Sequence, residues 1–299
     1  MKLLLKTVVF ALLRWSGLPI YWRHLRQRGR TTILCYHDPD PDVLAAHLTV
    51  LRRVYSIMSL RDFIDLRPSG RLNTLPRYPL VITLDDGHLG NAKLLELAVR
   101  EKVPMTIFLC SGIVGTQRHF WWKEVDTAAE RSRLRGLPDG ERLRELERLG
   151  YRETASYPER HALSREEIQT LAPHIDFQAH TQLHPVLPRC SDARARDEIA
   201  GCKDELTRDL GLDIYAFAYP NGDYCDRDVA LAAQAGYACA LTIDEGSNDA
   251  STDPYRLKRI IIPDDAGMDE LVVKASGLWA ALSRLAGHDR VRTITPRAG

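Results

Sequence analysis

Two stretches of this 299-residue chain carry side chains whose types and spacing suit metal-assisted hydrolysis. In the first, Val81-Ile-Thr-Leu-Asp-Asp-Gly87, an apolar run ends in two adjacent carboxylates and a turn glycine. Side chains alternate along a strand, so Asp85 and Asp86 cannot do the same job. One can bind a cation while the other stays free to take a proton. The second stretch, His180-Thr-Gln-Leu-His184, sets two imidazoles at i and i+4. Read as one helical turn, they share a face, about 5–6 Å apart at Cβ. One carboxylate and two imidazoles form a three-ligand set that leaves a position open for water, as in catalytic zinc sites. Asp86, His180 and His184 are the expected ligands, and Asp85 is then the base beside that water. Each piece alone has a plainer reading, a capping or turn Asp pair and a packed or titrating His pair. Their combination is what points to chemistry.

The elements that must position these groups alternate between strand and helix. Thr31 to Tyr36 reads as a first strand ending at His37, and Leu80 to Leu84 as the strand that delivers the two carboxylates. Helical spacing covers Asp42 to Tyr55, Leu60 to Leu66 and Asn91 to Glu101. Met105 to Cys110 is a further strand, so strand, helix and strand make a parallel crossover unit. Asp176 to Ala179 is the strand leading to His180. Strands at Ile214 to Tyr219, Ala238 to Ile243 and Arg256 to Ile262 follow, with helices at Asp192 to Leu210 and Asp226 to Ala235 between them. Gly211 and Gly236 sit where C-cap glycines belong, and Ser164-Arg-Glu-Glu167 is a capping box. Residues 118–170 interrupt the pattern with Phe120-Trp-Trp122 and a charged helical stretch, Glu124 to Leu149, broken by a Pro-Asp-Gly turn at 138–140. They read as an insertion into a domain spanning 31–270, followed by a single amphipathic helix from Leu271 to Ala286 and a tail to 299. Such alternation implies a parallel sheet, open or closed into a barrel.

Composition narrows the class. A 44% hydrophobic content suits a packed core, and a net charge of +1 gives no global argument for nucleic acid. The six cysteines form no Cys-x-x-Cys pair and read as reduced, buried thiols, which with no clear signal peptide favours the cytoplasm. Residues 1–30 are different, with seven basic side chains, no acid, and Trp15, Tyr21 and Trp22. They fit either a helix lying on an anionic membrane surface, peripheral to an inner membrane, or a helix packed on the domain.

The motifs resemble those of the polysaccharide deacetylases, the NodB-homology group or carbohydrate esterase family 4. Thr83-Leu-Asp-Asp-Gly87 is similar to that family's Thr-Phe-Asp-Asp-Gly motif, and His180-Thr-Gln-Leu-His184 to its His-Ser/Thr-x-x-His motif. Phe217-Ala-Tyr-Pro-Asn-Gly222 resembles its third motif in the Tyr-Pro-x-Gly form. The resemblance runs in order from about Thr32 to Ile262. It implies a distorted, incomplete (β/α) barrel of about seven parallel strands, with the site at the strands' C-terminal ends. It also implies a hydrolase of carbon–nitrogen bonds other than peptide bonds, removing N-acetyl groups from amino sugars of a glycan. The backbone N–H of Asn221 would stabilise the oxyanion, Gly222 would allow close approach, and Tyr219 would border the substrate. The His/His/Asp set suits Zn²⁺, with Co²⁺, Ni²⁺, Mn²⁺ and Fe²⁺ compatible. A monomer is the expected state.

Two family residues are missing. The last strand, Leu257-Lys-Arg-Ile-Ile-Ile-Pro263, has no histidine to protonate the leaving amine, and Ala218 stands where the family has a base-orienting arginine. His37, which branches with the Tyr-Pro-x-Gly form carry as Tyr-His, is the candidate acid, against a structural role at a strand end. Arg259 is the candidate to orient Asp85, against a plain surface ion pair. Trp121 and Trp122 could stack on a sugar or pack the insertion. His88, next to the carboxylate turn, could reach substrate but reads rather as an exposed turn residue, and His119, His161 and His174 read as non-ligands. Two rival functions stay open: a deformylase or deacetylase of a lipid-linked sugar, and a carbohydrate-binding barrel without turnover.

Overall fold

The computed structural model describes residues 2–67 and 78–287. Among these residues the eight strands are β1 (Thr32–Tyr36), β2 (Ser56–Ile57), β3 (Pro79–Leu84), β4 (Thr106–Leu109), β5 (Asp176–Ala179), β6 (Ala216–Ala218), β7 (Cys239–Leu241) and β8 (Ile260–Ile261). Seven of them follow in the order β7-β6-β5-β4-β3-β1-β8, all pairs parallel, and short β2 pairs beside the start of β3. Strands covered on both faces need apolar side chains at every position, and β1 and β3 are buried throughout. The sheet curls into an incomplete (β/α) barrel. Its ends meet through one bridge, where the Leu257 N–H donates to the Ala240 carbonyl (3.0 Å) and the Thr242 N–H to the Leu257 carbonyl (2.8 Å).

Alternation along the strands separates two apolar layers. Ile33, Val81, Phe108, Leu241 and Leu257 pack with Leu60 and Phe63 of α4 (Leu60–Leu66) in one cluster. Leu34, Tyr36, Ile82 and Leu84 belong to the larger cluster shared with the surrounding helices. Among those helices are α3 (Pro41–Leu51), α5 (Leu95–Glu101), α8 (Arg165–Leu171), α9 (Asp192–Leu210) and α10 (Asp226–Gln234). The capping box at Ser164 forms, and Gly211 ends α9 at φ +67°.

The insertion holds α6 (Ala128–Gly136) and α7 (Asp139–Arg148) around a small core of Trp121, Val125, Leu134, Leu146 and Tyr151. Pro138 caps α7, so the expected Pro-Asp-Gly turn is a helix start. Two other expectations are corrected. The stretch from Leu271 to Ala286 is two helices, α11 (Met268–Ala275) and α12 (Leu278–Leu285), because Gly277 takes φ +77° between them. The first turn of the expected helix at Asn91 is a 3₁₀ segment, Leu89–Leu94, before α5. The tail at 288–299 lies outside the described residues. At the other end, α1 (Lys2–Trp15) and α2 (Leu18–Arg26) precede the barrel.

Candidate active site

Strand register gathers the site. Tyr36 stands opposite Leu84, so the next residues, His37 and Asp85, leave β1 and β3 side by side. Leu109 pairs with Ala179, and Ala179 with Phe217, which brings His180 and the turn after β6 to the same rim. The result is a cleft of about 430 Å³ lined by His37, Asp85, Asp86, His180, His184 and Asn221 on its polar side.

Asp85 continues the ladder: its N–H donates to the Tyr36 carbonyl at 3.0 Å. Thr83 on the same face donates its hydroxyl to the Leu34 carbonyl. The guanidinium of Arg259 meets Asp85 with both arms, Nη1 to Oδ1 and Nη2 to Oδ2 at 2.7 Å each, and its Nε–H donates to the Thr242 carbonyl. Arg259 is 0% exposed, so this is a buried bidentate pair and the surface ion-pair reading falls. Burial is the largest influence on the Asp85 carboxyl and pushes it up, but the Arg259 charge, the His180 charge and the hydrogen bonds from Arg259 together outweigh it, and the net direction is below the ordinary range. Donor atoms of His37, Cys35 and Asp85 lie within 4.8 Å of one another. The His37 backbone is fixed by its N–H bond to Asp264 and by Asn91 donating to its carbonyl.

Asp86 departs from the strand at φ +77°. Its Oδ1 faces Nε2 of both His180 and His184 at 3.3 Å, yet is buried with no hydrogen bond. The Ala218 carbonyl can only accept, so His180 carries its proton on Nδ1 (2.7 Å) and turns the Nε2 lone pair towards Asp86. An ionised oxygen and an imidazole lone pair face to face repel, unless a proton or a cation lies between them. A three-ligand set, a fixed tautomer and an orphaned buried oxygen all fit a divalent ion held by Asp86, His180 and His184. Burial opposes the Asp86 charge, but the three imidazoles around it hold the carboxyl well below its ordinary range. The two ligand candidates titrate apart. Burial lowers His184; in His180 the same burial is outweighed by the Asp85 charge, the charge and hydrogen bonding of Asp86 and the Ala218 carbonyl taken together.

The i,i+4 helical turn expected of the histidines is not what joins them. Residues 180–184 form a loop in which Thr181 and His184 both have positive φ, +67° and +55°. The Thr181 hydroxyl accepts from the His184 N–H, and Glu198 of α9 accepts from the N–H groups of Gln182 and Leu183, each at 2.9 Å. Glu198 carried no sequence signal, because what it binds is backbone, and its partner Arg194 carried none, because the carboxylates it meets are far apart in the chain or unremarkable on their own helix. His88 also differs from expectation. It is tucked against Phe120 with Nε2 at 3.0 Å from Asp86 Oδ2, where a carboxylate that ligates a metal usually takes a further hydrogen bond.

In the third motif Asn221 sits at φ +56° on the cleft wall. Gly222 has φ +67°, and a Cβ there would come within 2.0 Å of the Ile243 side chain, so only glycine fits. Tyr219 is corrected. Its ring lies in the core against Phe217 and Tyr224, its hydroxyl donates to the Tyr255 carbonyl, and it does not line the cleft. Trp121 is core to the insertion, with its indole N–H on the His184 carbonyl, while Trp122 lies partly exposed, edge-on to the His184 ring. His119 and His161 stack on each other away from the cleft, and His174 is exposed after α8. Arg131 and Arg135 of α6 complete the wall, and neither was foreseen.

A parallel barrel with carboxylates and imidazoles at the C-terminal ends of its strands has the arrangement in which barrels of this kind carry their active sites. The polysaccharide deacetylase family matches residues 73–240, more than half of the chain, and the chain belongs to that family. His37 and Arg259 lie outside the matched residues. The fold is similar to deacetylase PplD of Streptococcus pyogenes (TM-score 0.61, 19% identity, covering 82% of this chain and 98% of that one). It is also similar to IcaB of Ammonifex degensii (0.60, 18%, 84% and 98%) and to a polysaccharide deacetylase of Bacillus cereus (0.59, 18%, 82% and 69%). No curated protein matches the chain.

Proposed function

We propose that this protein is a metal-dependent hydrolase that removes N-acetyl groups from amino sugars of a glycan. The observation that carries the reading is the division of labour between neighbours. Asp85 is paired with Arg259, and Asp86 faces His180 and His184, both at the floor of one cleft. Zn²⁺ suits the donor set best, and Co²⁺, Ni²⁺, Mn²⁺ and Fe²⁺ are compatible with it. When bound, such an ion supplies Lewis acidity and lowers the pKa of a bound water from about 15.7 towards 7.

The remaining steps belong to the chain. Asp85, kept ionised by Arg259, takes a proton from the attacking water through Oδ1, which retains a lone pair beyond the one Arg259 uses, whereas Oδ2 accepts from both Arg259 and the Cys35 thiol. The new bond joins the water oxygen to the acyl carbon, and the carbon–nitrogen bond breaks. His37 gives a proton to the departing amine, which leaves acetate and a free amino sugar. The Asn221 N–H faces the developing oxyanion, a contact worth roughly 3–4 kcal/mol where such donors have been removed.

The test is acetate release from N-acetylhexosamine oligomers by protein reconstituted with each metal, beside Asp85→Asn and His184→Ala. The expected result is turnover by wild type and a loss of about 10²–10⁴-fold in Asp85→Asn with metal still bound. In His184→Ala both metal and turnover should be lost. Stoichiometric metal without acetate would redirect the reading to a formyl or lipid-linked substrate, and no metal binding at all would sink it.

A further inference from the structure

α1 and α2 carry most of the exposed large hydrophobic side chains among the described residues. Thirteen large hydrophobic side chains are exposed among the described residues, and nine lie between Leu4 and Leu25. In α1 they form a stripe at helical spacing, Leu4, Val8, Leu12 and Trp15, with Trp15 79% exposed. In α2 the stripe is Leu18, Tyr21 and Leu25. The opposite face of α1 is already docked. Phe10 packs with Val273 and Leu278, Lys6 pairs with Glu270, and Arg14 pairs with Asp269. The exposed stripe therefore cannot turn inwards without breaking these contacts.

Charge decides what covers it. Residues 1–30 hold seven basic side chains and no acid, and residues 31–299 hold 34 basic against 40 acidic ones. Any attraction to a negative partner is thus local to this segment. Arg26 lies over the Trp22 ring, and neither Arg26 nor Arg28 pairs with a carboxylate among the described residues. A second copy docked through the same face in two-fold symmetry would set basic residues against basic residues. Exposed aromatic, leucine and basic side chains gathered in one segment match an anionic lipid surface. No single helix among the described residues is long and apolar enough to cross a membrane; α1 and α2 reach that length and apolarity only as a pair, and they are bent by 66° at their junction.

We propose that α1 and α2 form a dock that lies in the plane of an anionic lipid bilayer, with the leucine and tryptophan stripe in the acyl boundary and Arg26 and Arg28 at the headgroups. The dock is linked to the cleft through the segment after β8. Lys6, Thr7 and Phe10 share a groove with Asp265, Gly267 and Met268, and the neighbouring Asp264 carboxylate holds the N–H groups of His37 and Asp38.

Flotation of the full chain with phosphatidylcholine vesicles, with and without phosphatidylglycerol, tests this. The protein should float with the phosphatidylglycerol vesicles and less so as salt is raised. Leu12→Ser with Trp15→Ser should lower the partition coefficient at least about tenfold, leaving melting temperature and acetate release from soluble oligomers unchanged. Arg26→Glu with Arg28→Glu should weaken binding only to the anionic vesicles. A protein that stays below both vesicle types overturns the proposal. So does a dimer in solution that the Leu12/Trp15 variant dissolves, or flotation indifferent to both variants. None of these outcomes bears on the deacetylase reading, which rests on other residues.

Discussion

Asp85 and Asp86 are adjacent, equally buried at 4% and 3% exposure, and offset the cost of burial in opposite ways. Asp85 stays in extended backbone, keeps its ladder hydrogen bond and receives a complete cation from Arg259. Asp86 turns into left-handed backbone and receives three imidazoles, with one oxygen left unbonded. The same contrast extends outward. The Asp85 half rests on the strand ends of β1 and β3 and on the stretch before β8. The Asp86 half rests on turns where Thr181, His184 and Asn221 also have positive φ. Non-glycine residues in that region cost of order 1–3 kcal/mol each and persist only where surroundings over-determine them. One half is electrostatically closed by the protein itself; the other is built to be completed by something else.

Breaking the closed half should have the largest effect on stability. Arg259→Met leaves Asp85 buried without its cation, and loss of one partner of a buried pair costs about 3–5 kcal/mol. The sign with pH follows from the lowered Asp85 carboxyl. In wild type its stabilising contribution is present above its unfolded pKa and is lost as pH falls through the lower folded value. In the variant, burial alone raises the carboxyl, so ionisation opposes folding and the deficit grows from acid to neutral pH. Urea unfolding of both proteins across that range measures it. Asp85→Asn added to Arg259→Met should recover much of the loss, and a deficit equal at every pH would mean that the pair is not what Arg259 contributes.

Completing the open half comes next. Protein stripped with a chelator and then titrated with Zn²⁺ should gain stability as RT ln(1 + [L]/Kd), about 2.7 kcal/mol at a hundredfold excess over Kd. Asp86→Asn and His184→Ala should flatten that dependence, while Asp85→Asn should keep it. If Asp85→Asn flattens it equally, the two carboxylates do not divide the work, and the contrast between the halves fails.

Sequence and structure agree best where local pattern and tertiary environment coincide. Strands β1, β3, β4 and β5 were legible because apolar runs between turn residues have few other uses, and Asp85 and Asp86 were legible as a pair at a strand end. Arg259 was found by default, as a cation on the strand next to β1 once Ala218 stood in the arginine's place; nothing local marks it. The histidine loop was misjudged in shape because i,i+4 spacing suits a helix, and neither Thr181 nor His184 advertises left-handed backbone as glycine would. Tyr219 was misassigned because a motif places a residue in sequence without saying which side of the strand end it occupies. Glu198 was invisible for a deeper reason: its partners are N–H groups, which every residue but proline has.

Glu198 also gives the smallest expected effect and the finest test of how the open half is held. From α9 it accepts the N–H groups of Gln182 and Leu183 through one oxygen, while Arg194 lies 3.5 Å from the other. Arg194 is shared with Asp139 of α7 and with Glu153, so its charge is divided among three carboxylates. Burial then outweighs the N–H groups and Arg194, and lifts Glu198 from 4.5 to about 7. A raised carboxyl means that the folded state holds a proton the unfolded state has released. Its contribution is fully present below about pH 4.5 and is lost as pH rises through about 7. A single proton gives a slope of at most about 1.4 kcal/mol per pH unit. Glu198→Gln keeps an acceptor for both N–H groups but cannot titrate. Between pH 6 and 7 the wild type should therefore lose about 1 kcal/mol relative to this variant, in urea unfolding of metal-free protein. Equal pH slopes would place the proton elsewhere. Lower Zn²⁺ affinity in the variant at pH 8 than in wild type would show that the ionised carboxylate holds the loop better than an amide does.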